Sequence, residues 1–223
     1  MSNEAYLMTE HVLELSSLAC RRGGRLLFSG MDLSLTDGDA ALVTGPNGSG
    51  KSSLLRVIAG LIQPLQGQIR WEGQNAQKFS DNFRLALRYV GHSDGLQPVL
   101  SVLENLKYWS QIHGFSQDIE KLNRGLESVG LFDLSELPAR ILSAGQRRRL
   151  ALARAIATEG RLWLLDEPTV ALDSQSINRI ETAISEFRAS GGIVIASTNA
   201  PLNLSDCKVL NICLLYTSDA ADE

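Results

Sequence analysis

Two segments near the N-terminus alternate apolar and polar residues, the pattern of β-strands with one buried face. The first segment is His11–Ala19, and in the second segment Met31, Leu33 and Leu35 alternate with polar neighbours. A Gly-rich turn, Arg21–Arg25, separates the two segments. We therefore predict an antiparallel pair of strands at this end of the chain.

Four short apolar runs further along the chain have the character of strands that are buried on both faces. These runs are Ala40–Thr44, Leu87–Gly91, Arg161–Asp166 and Ile193–Ser197, and Pro64–Gly73 is a further predicted strand. Segments with helical spacing, Lys51–Gly60 and Gln175–Ala189, alternate with these runs. Alternation of strand and helix predicts an α/β fold with a mainly parallel sheet and right-handed crossovers.

The middle of the chain is more helical than either end. Val102–His113 and Ile119–Val129 are predicted to form amphipathic helices. We expect residues 93–140 to form a helical subdomain inserted into a single domain of residues 11–213. Residues 214–223 have neither helix periodicity nor a cap, so we interpret them as a non-native or disordered tail.

Composition narrows the possible functions. The 223 residues are 44% hydrophobic and carry a net charge of −4, which suits one full-sized domain and gives no reason to expect nucleic acid binding. Cys20, Cys207 and Cys213 lack the spacing of a zinc site or a disulfide framework.

No apolar run reaches the roughly 18 to 20 residues that cross a bilayer, and Met1–Glu10 does not resemble a secretory signal. We expect any membrane contact to be made through partners.

The segment between the first apolar run and the helix that follows it fits the pattern G-x-x-x-x-G-K-[ST] of a phosphate-binding loop. Its residues are Gly45, Pro46, Asn47, Gly48, Ser49, Gly50, Lys51 and Ser52, followed by Ser53. Glycines let the backbone N–H groups approach phosphate, and the helix N-terminus favours negative charge. We expect these residues to bind ATP, with Lys51 on the β- and γ-phosphates and the Ser52 hydroxyl on Mg²⁺.

The third apolar run ends in two carboxylates, Asp166 and Glu167, followed by Pro168. Ligands of open α/β sheets lie beyond the carboxyl ends of the strands. Asp166 is therefore predicted to hold Mg²⁺, and Glu167 to orient or deprotonate the attacking water. A solvated acidic strand end is the alternative interpretation of the same pair.

A further motif, Leu142–Gln146, precedes a predicted helix, Arg147–Thr158. Together with the phosphate loop, the acidic pair and the segment ending at Asp173, this signature motif resembles the ATP-binding-cassette (ABC) family of P-loop ATPases. The resemblance implies a head-to-tail homodimer that binds ATP between the two copies. It also implies that four residues face the ATP of the other copy: Ser143, Gly145, Gln146 and Asp173. The arginine cluster at 147–149 is interpreted as a solvated, partner-facing surface.

Three positions depart from the usual pattern of that family. Arg22 occupies the adenine-stacking position, where a guanidinium plane can replace an aromatic ring, although an exposed turn arginine is the alternative. His92 falls at the Q-loop position, with a purely structural histidine as the alternative. Asn199 replaces the switch histidine; its amide can bond a phosphate oxygen but cannot carry a positive charge. We list His92 and Asn199 with Lys51 and Glu167 as catalytic candidates.

Local sequence features also resemble the haem-exporter ATPases of bacterial cytochrome c maturation, among them Gly91-His92 and Leu142–Arg154. That resemblance implies integral membrane partner subunits, a location at the cytoplasmic face of the bacterial inner membrane, and a docking groove around His92–Trp109. Two alternatives stay open: the ATPase subunit of another exporter, and a non-hydrolysing, ATP-dependent clamp or regulatory module. Action on ribosomes or DNA is not expected, because the chain has neither a second cassette nor coiled arms.

Overall fold

A computed structural model describes residues 12–76, 81–200 and 202–213, so the predictions for residue 11 and for the tail at 214–223 lie outside the described residues. The helices and strands follow in this order: β1 (Leu13–Arg22), β2 (Arg25–Leu35), β3 (Ala40–Thr44), α1 (Lys51–Ile58), β4 (Gln66–Trp71), β5 (Gln74–Asn75), α2 (Asp81–Ala86), β6 (Leu87–Val90), α3 (Val102–Ile112), α4 (Ile119–Ser128), α5 (Ala144–Ile156), β7 (Leu162–Asp166), α6 (Ser174–Ala189), β8 (Ile193–Ser197) and β9 (Cys207–Asn211).

Five of these strands form a parallel sheet in the order β6-β7-β8-β3-β9. Successive residues of β7 pack on opposite faces of this sheet: Leu162 and Leu164 join one hydrophobic core, whereas Trp163 and Leu165 join another. A strand covered on both faces has no polar alternation, which explains the continuous apolar runs in the sequence. The predicted α/β fold with a mainly parallel sheet is therefore confirmed.

An antiparallel sheet, ordered β2-β1-β4-β5, supplies the covering layer on one side. Leu13 and Phe28 from this sheet share a core with Leu54 and Leu55 of α1 and with Leu164 of β7. The helix α1 thus lies between the two sheets, and the loop before it is anchored at both ends. The predicted antiparallel subdomain is confirmed.

Helices cover the other side of the parallel sheet. Side chains from α3, α4 and α5, including Leu106, Leu122 and Leu150, pack in one core with Trp163 and Val194 of the sheet. Side-chain caps from the preceding residue define the N-termini of two of these helices. Ser101 caps α3 in a reciprocal box with Glu104, and Asp118 caps α4 through the N–H groups of residues 120 and 121.

Some boundaries differ from the prediction. The helix α5 begins at Ala144 rather than Arg147, because Ser143 and Gln146 form a capping box that places the signature motif inside the first turn. The strand Cys207–Asn211 was not predicted, since it is an edge strand whose side chains are mostly exposed and leave little apolar pattern. The short helix Asp81–Ala86 was also missed. Among the described residues, no helix combines the length and apolar character needed to cross a bilayer.

Candidate nucleotide-binding site

The loop between β3 and α1 lies very close to the backbone that follows β9. Gly45 has a φ of 144°, and a side-chain carbon at this position would lie 2.2 Å from the carbonyl oxygen of Ile212, just after β9. Only glycine fits such a close approach in this conformation. Gly50 precedes α1 without any side-chain capping bond, so the first N–H groups of the helix remain available to an anion.

Lys51 places a positive charge in this loop. The residue is only 5% exposed. Its Nζ donates to the carbonyl oxygens of Gly45 at 2.8 Å and Pro46 at 3.2 Å, and to Asn199 Oδ1 at 2.9 Å. An ammonium group held between the loop and the end of β8 suits the binding of phosphate oxygens.

Asp166 lies at the carboxyl end of β7 with no exposed surface. Its Oδ1 accepts hydrogen bonds from Ser52 Oγ at 2.9 Å and from Ser197 Oγ at 2.6 Å. Its Oδ2 is buried and has no hydrogen-bond partner among the described residues. A buried, unpartnered carboxylate oxygen beside a serine hydroxyl is the oxygen-only donor set that Mg²⁺ prefers, so these residues fit that cation.

Glu167 adopts a left-handed backbone conformation with a φ of 51°. For a residue other than glycine this conformation costs about 1–2 kcal/mol, so the surrounding contacts must hold it in place. The backbone N–H of Glu167 donates to Ser197 O at 3.0 Å and to Ser197 Oγ at 3.2 Å. The bend turns the Glu167 side chain away from the strand direction and into the cleft described below.

The amide of Asn199 links the two charged groups of the site. Its Oδ1 accepts from Lys51 Nζ, and its Nδ2 donates to Glu167 Oε1 at 2.7 Å and to Asn47 Oδ1 at 2.8 Å. An amide has one acceptor and two donor hydrogens, so these three contacts use both of its ends. Asn199 thus holds the lysine and the carboxylate at a fixed separation without adding charge.

Most of the residues predicted to bind the phosphates and the adenine line one cleft of about 360 Å³. It is lined by Arg22, Gly23, Leu27, Asn47, Gly48, Gly50, Lys51, Ser52, Ser53 and Glu167. Arg22 is exposed at the end of β1, which leaves its guanidinium free to stack on a planar group in the cleft. His92 is also exposed, but it does not line the cleft, and its ring makes no hydrogen bond within the described ranges.

The signature motif lies outside this cleft. Ser143 is exposed and caps α5: its Oγ accepts from the N–H of Gln146 at 3.2 Å, and its own N–H donates to Gln146 Oε1 at 2.8 Å. At Gly145, a side-chain carbon would lie 2.6 Å from the carbonyl oxygen of Ala171, so the motif packs directly on the segment after β7. Within one chain, the structure does not bring the signature to the phosphate loop.

Asp173 lies near the signature, at the start of α6. Its carboxylate accepts from the N–H of Ser176 at 2.7 Å. Hydrogen bonds from Ser176, with a smaller contribution from the positive charge of Arg149, lower the pKa of Asp173. The lowered pKa keeps this carboxylate ionised at neutral pH, and the residue is exposed.

Sequence reasoning missed two residues of the site, Ser197 and Arg148. Ser197 is the register partner of Asp166 in the parallel sheet. The sequence could have indicated this, because each of these residues is the last of a buried apolar strand. The solvated interpretation of the arginine cluster is wrong for Arg148, which is 5% exposed and donates to the carbonyl oxygens of Gly91, Asp166 and Glu167. No hydrophobic pattern marks a buried arginine, because its charge predicts exposure.

Comparisons with known proteins agree with this arrangement. A sequence model described as "ABC transporter" matches residues 28–170. The protein "Cytochrome c biogenesis ATP-binding export protein CcmA" of Paramagnetospirillum magneticum is 43% identical over 209 residues, covering 92% of this chain and 95% of the relative. The protein of the same name from Escherichia coli K12 is 38% identical, covering 94% and 99% of the two chains.

Solved structures have the same fold. A putative ABC transporter ATP-binding protein from Pyrococcus furiosus superposes with a TM-score of 0.79 at 27% identity, covering 90% of this chain and 96% of that one. An ATP-binding cassette solved as a dimer with bound ADP and phosphate gives a TM-score of 0.74 at 25% identity, covering 84% and 88%. The chain therefore belongs to the ABC transporter ATPase family and, within that family, to the cytochrome c biogenesis ATP-binding export proteins.

Proposed function

We propose that the cleft binds Mg-ATP and that the chain hydrolyses it in a head-to-tail homodimer, energising haem export or the release of a haem chaperone in cytochrome c biogenesis. The observation that carries the proposal is the buried, unpartnered Oδ2 of Asp166 beside Ser52 and close to the phosphate loop of Lys51. A structural carboxylate would have both oxygens paired, whereas a cation-binding carboxylate keeps one oxygen available.

The charged and polar side chains of the site have separate tasks in this proposal. Lys51 and the first N–H groups of α1 bind the phosphates, and Ser52 with Asp166 would hold Mg²⁺. The cation, when bound, offsets negative charge on the phosphate oxygens. Glu167 accepts a proton from the attacking water, and Asn199 keeps that carboxylate next to the lysine. Arg22 stacks on the adenine at the open side of the cleft.

Two faces of one chain support the proposed dimer. Ser143, Gly145, Gln146 and Asp173 offer a hydroxyl, N–H groups and a helix N-terminus, but they lie outside the cleft of their own chain. A second copy, placed head to tail, would bring these groups to the open side of the cleft. The ATP-binding cassette solved as a dimer with ADP and phosphate supports the dimeric state.

The proposed partners are integral membrane subunits at the cytoplasmic face of the bacterial inner membrane. Relatives named as cytochrome c biogenesis export proteins support this assignment. Near the predicted groove, Val99 is 72% exposed and Tyr108 of α3 is 43% exposed. Large apolar side chains at such exposure fit a surface that a partner covers. The catalytic role of His92 stays a prediction, since its ring makes no hydrogen bond to any residue that the structure describes and does not line the cleft.

Replacing Glu167 by Gln tests hydrolysis. We expect ATP turnover by the chain, assembled with its membrane partners, to fall roughly 100- to 10,000-fold, because the amide cannot accept the proton. The variant should still bind ATP and should accumulate as an ATP-bound dimer in size-exclusion chromatography. Glu186→Gln, an exposed change on α6, is the matched control. Equal, slow turnover in wild type and Glu167→Gln, with a tight ATP-driven dimer in both, would favour the non-hydrolysing clamp.

Replacing Tyr108 by Glu tests the partner surface. A charge in an apolar interface is costly to bury, so we expect the membrane subunits to be lost on co-purification and haem delivery to fall, with ATP affinity unchanged. The control is Val209→Glu, because Val209 is 64% exposed and lies on β9, at the opposite edge of the parallel sheet from β6. Unchanged co-purification and haem delivery in Tyr108→Glu would count against docking at this surface.

A further inference from the structure

The guanidinium of Arg148 connects segments that are far apart in sequence. Its Nη2 donates to the carbonyl oxygen of Asp166 and, at 3.1 Å, to that of Glu167. Its Nη1 donates to the carbonyl oxygen of Gly91 at 2.8 Å and pairs with Asp94 Oδ1 at 3.4 Å. A single side chain of α5 thus joins the end of β7 to the segment 91–94 that follows β6.

These contacts restrain the peptide on the carboxyl side of Glu167. The left-handed φ of Glu167 is unfavourable, and its amino side is already held by Ser197. On the other side, its carbonyl oxygen accepts from Arg148 Nη2 at 3.1 Å and from the backbone N–H of Val170 at 3.3 Å. Without the shorter bond from Arg148, the bond from Val170 is the one that remains on this oxygen among the described residues. The peptide can then rotate toward a relaxed conformation, which moves the carboxylate away from Asn199.

The charge and shape of Arg148 suit this task. A guanidinium presents several N–H donors in a planar fork, so its two terminal nitrogens can bond opposite segments at the same time. A lysine ammonium is a single point charge and cannot span the same separation. Burying a charge is unfavourable unless it is paired, and here Asp94 supplies the counter-charge from the segment 91–94.

We propose that Arg148 is a positioning residue for hydrolysis, which holds Glu167 in place and makes the position of that carboxylate depend on residues 91–94. These residues begin the surface proposed above to dock the membrane subunits, so partner binding would be transmitted to the cleft through one guanidinium. The inference rests on the proposed ATPase function. It adds the physical link by which a partner regulates that site.

Arg148→Lys tests the inference, with Arg154→Lys as its matched control. Arg154 lies on the same helix and is 7% exposed, and burial lowers the pKa of its guanidinium to about 10. It donates to the carbonyl oxygens of Ala151 and Gly95, not to those of Asp166 or Glu167. Both variants therefore replace a buried arginine of α5. Only Arg148→Lys removes the guanidinium contacts to the carbonyl oxygens of Asp166 and Glu167.

The measurements are kcat and KM for ATP, in detergent-solubilised transporter assembled with its membrane subunits, and the thermal unfolding midpoint. For Arg148→Lys we expect kcat to fall roughly 10- to 100-fold, because small displacements of a catalytic group cost that much. KM should stay within about threefold, since Arg148 does not line the cleft. Arg154→Lys should keep both constants within about threefold of wild type.

Three results would overturn the inference: an unchanged kcat in Arg148→Lys, an equal fall in both lysine variants, or a rise in KM that accounts for the whole effect. If Arg148→Lys does not assemble, Asp94→Asn takes its place. Removing the counter-charge should lower partner-stimulated kcat roughly threefold to tenfold with KM retained, and wild-type kcat in that variant would overturn the inference. Wild-type turnover no faster than that of Glu167→Gln would instead refute the proposed hydrolysis, on which the inference rests.

Discussion

At the phosphate loop, Lys51 and Asp166 are buried and bonded to residues from other segments of the chain, whereas at the signature Ser143 is exposed and bonded to Gln146, three positions away. Both regions present a helix N-terminus. The first is enclosed by β3, β7 and β8 of its own chain, and the second faces outward. In the proposed dimer, one chain would therefore build one half of the site fully and offer the other half to a neighbour.

Capping sharpens the contrast between the two helix N-termini. No side chain caps α1, so its first N–H groups are available to phosphate. A reciprocal box caps α5, so the N–H groups of Ser143 and Gln146 are already used. The Ser143 hydroxyl can still donate its own hydrogen while it accepts from Gln146. The first turn of the signature is therefore held by its own capping box, and it offers fewer donors than the phosphate loop.

Among the variants that test this difference, Ser143→Asp is expected to change ATP turnover most. A carboxylate at the signature would repel the phosphates of the neighbouring copy, and we expect turnover to fall on the order of 1,000-fold. Nucleotide binding to the phosphate loop should not change, as measured with a fluorescent ATP analogue. Ser185→Asp, on the exposed face of α6, is the control. Wild-type turnover in Ser143→Asp would mean that the signature side takes no part in the reaction.

Asn199→Ala probes the enclosed side. The change removes the amide that connects Lys51 to Glu167, so we expect kcat to fall on the order of 100-fold with little change in ATP affinity. Steady-state ATPase assays of the assembled complex measure both constants. Asn178→Ala, at an exposed position of α6, is the reference variant. If kcat is the same in both variants, then Asn199 is not needed to hold Glu167.

The smallest expected effect is a pH-dependent change in unfolding temperature that depends on the exposed residue Asp173. Because the folded-state pKa of Asp173 is lowered below 3.8, its ionised cap stabilises the protein fully above that pH and loses this contribution as the pH falls through the folded pKa. Asp173→Asn keeps a capping oxygen but cannot ionise. We expect wild type to unfold at a slightly higher temperature than Asp173→Asn at pH 7, and the gap to shrink below pH 3.8. A gap that widens in acid would contradict this assignment.

The sequence predicted the phosphate loop and the acidic pair because both depend on short-range chemistry. The glycines around Lys51 are needed by the loop itself, and Asp166 follows directly from an apolar strand. The signature was recognised for the same reason, although its helix was placed three residues too late. Arg148 could not be predicted in this way, because its acceptors come from residues 91, 166 and 167.

The order of apolar runs and glycine-rich loops thus determined the α/β fold, the position of the phosphate loop and the residue types of the site. Only the tertiary structure decided which groups meet: Ser197 with Asp166, Asn199 between Lys51 and Glu167, and Arg148 against the end of β7. The physical reason is range. A local pattern records the needs of its own helix or strand, whereas these contacts arise where separate strands and helices pack at one edge of the sheet.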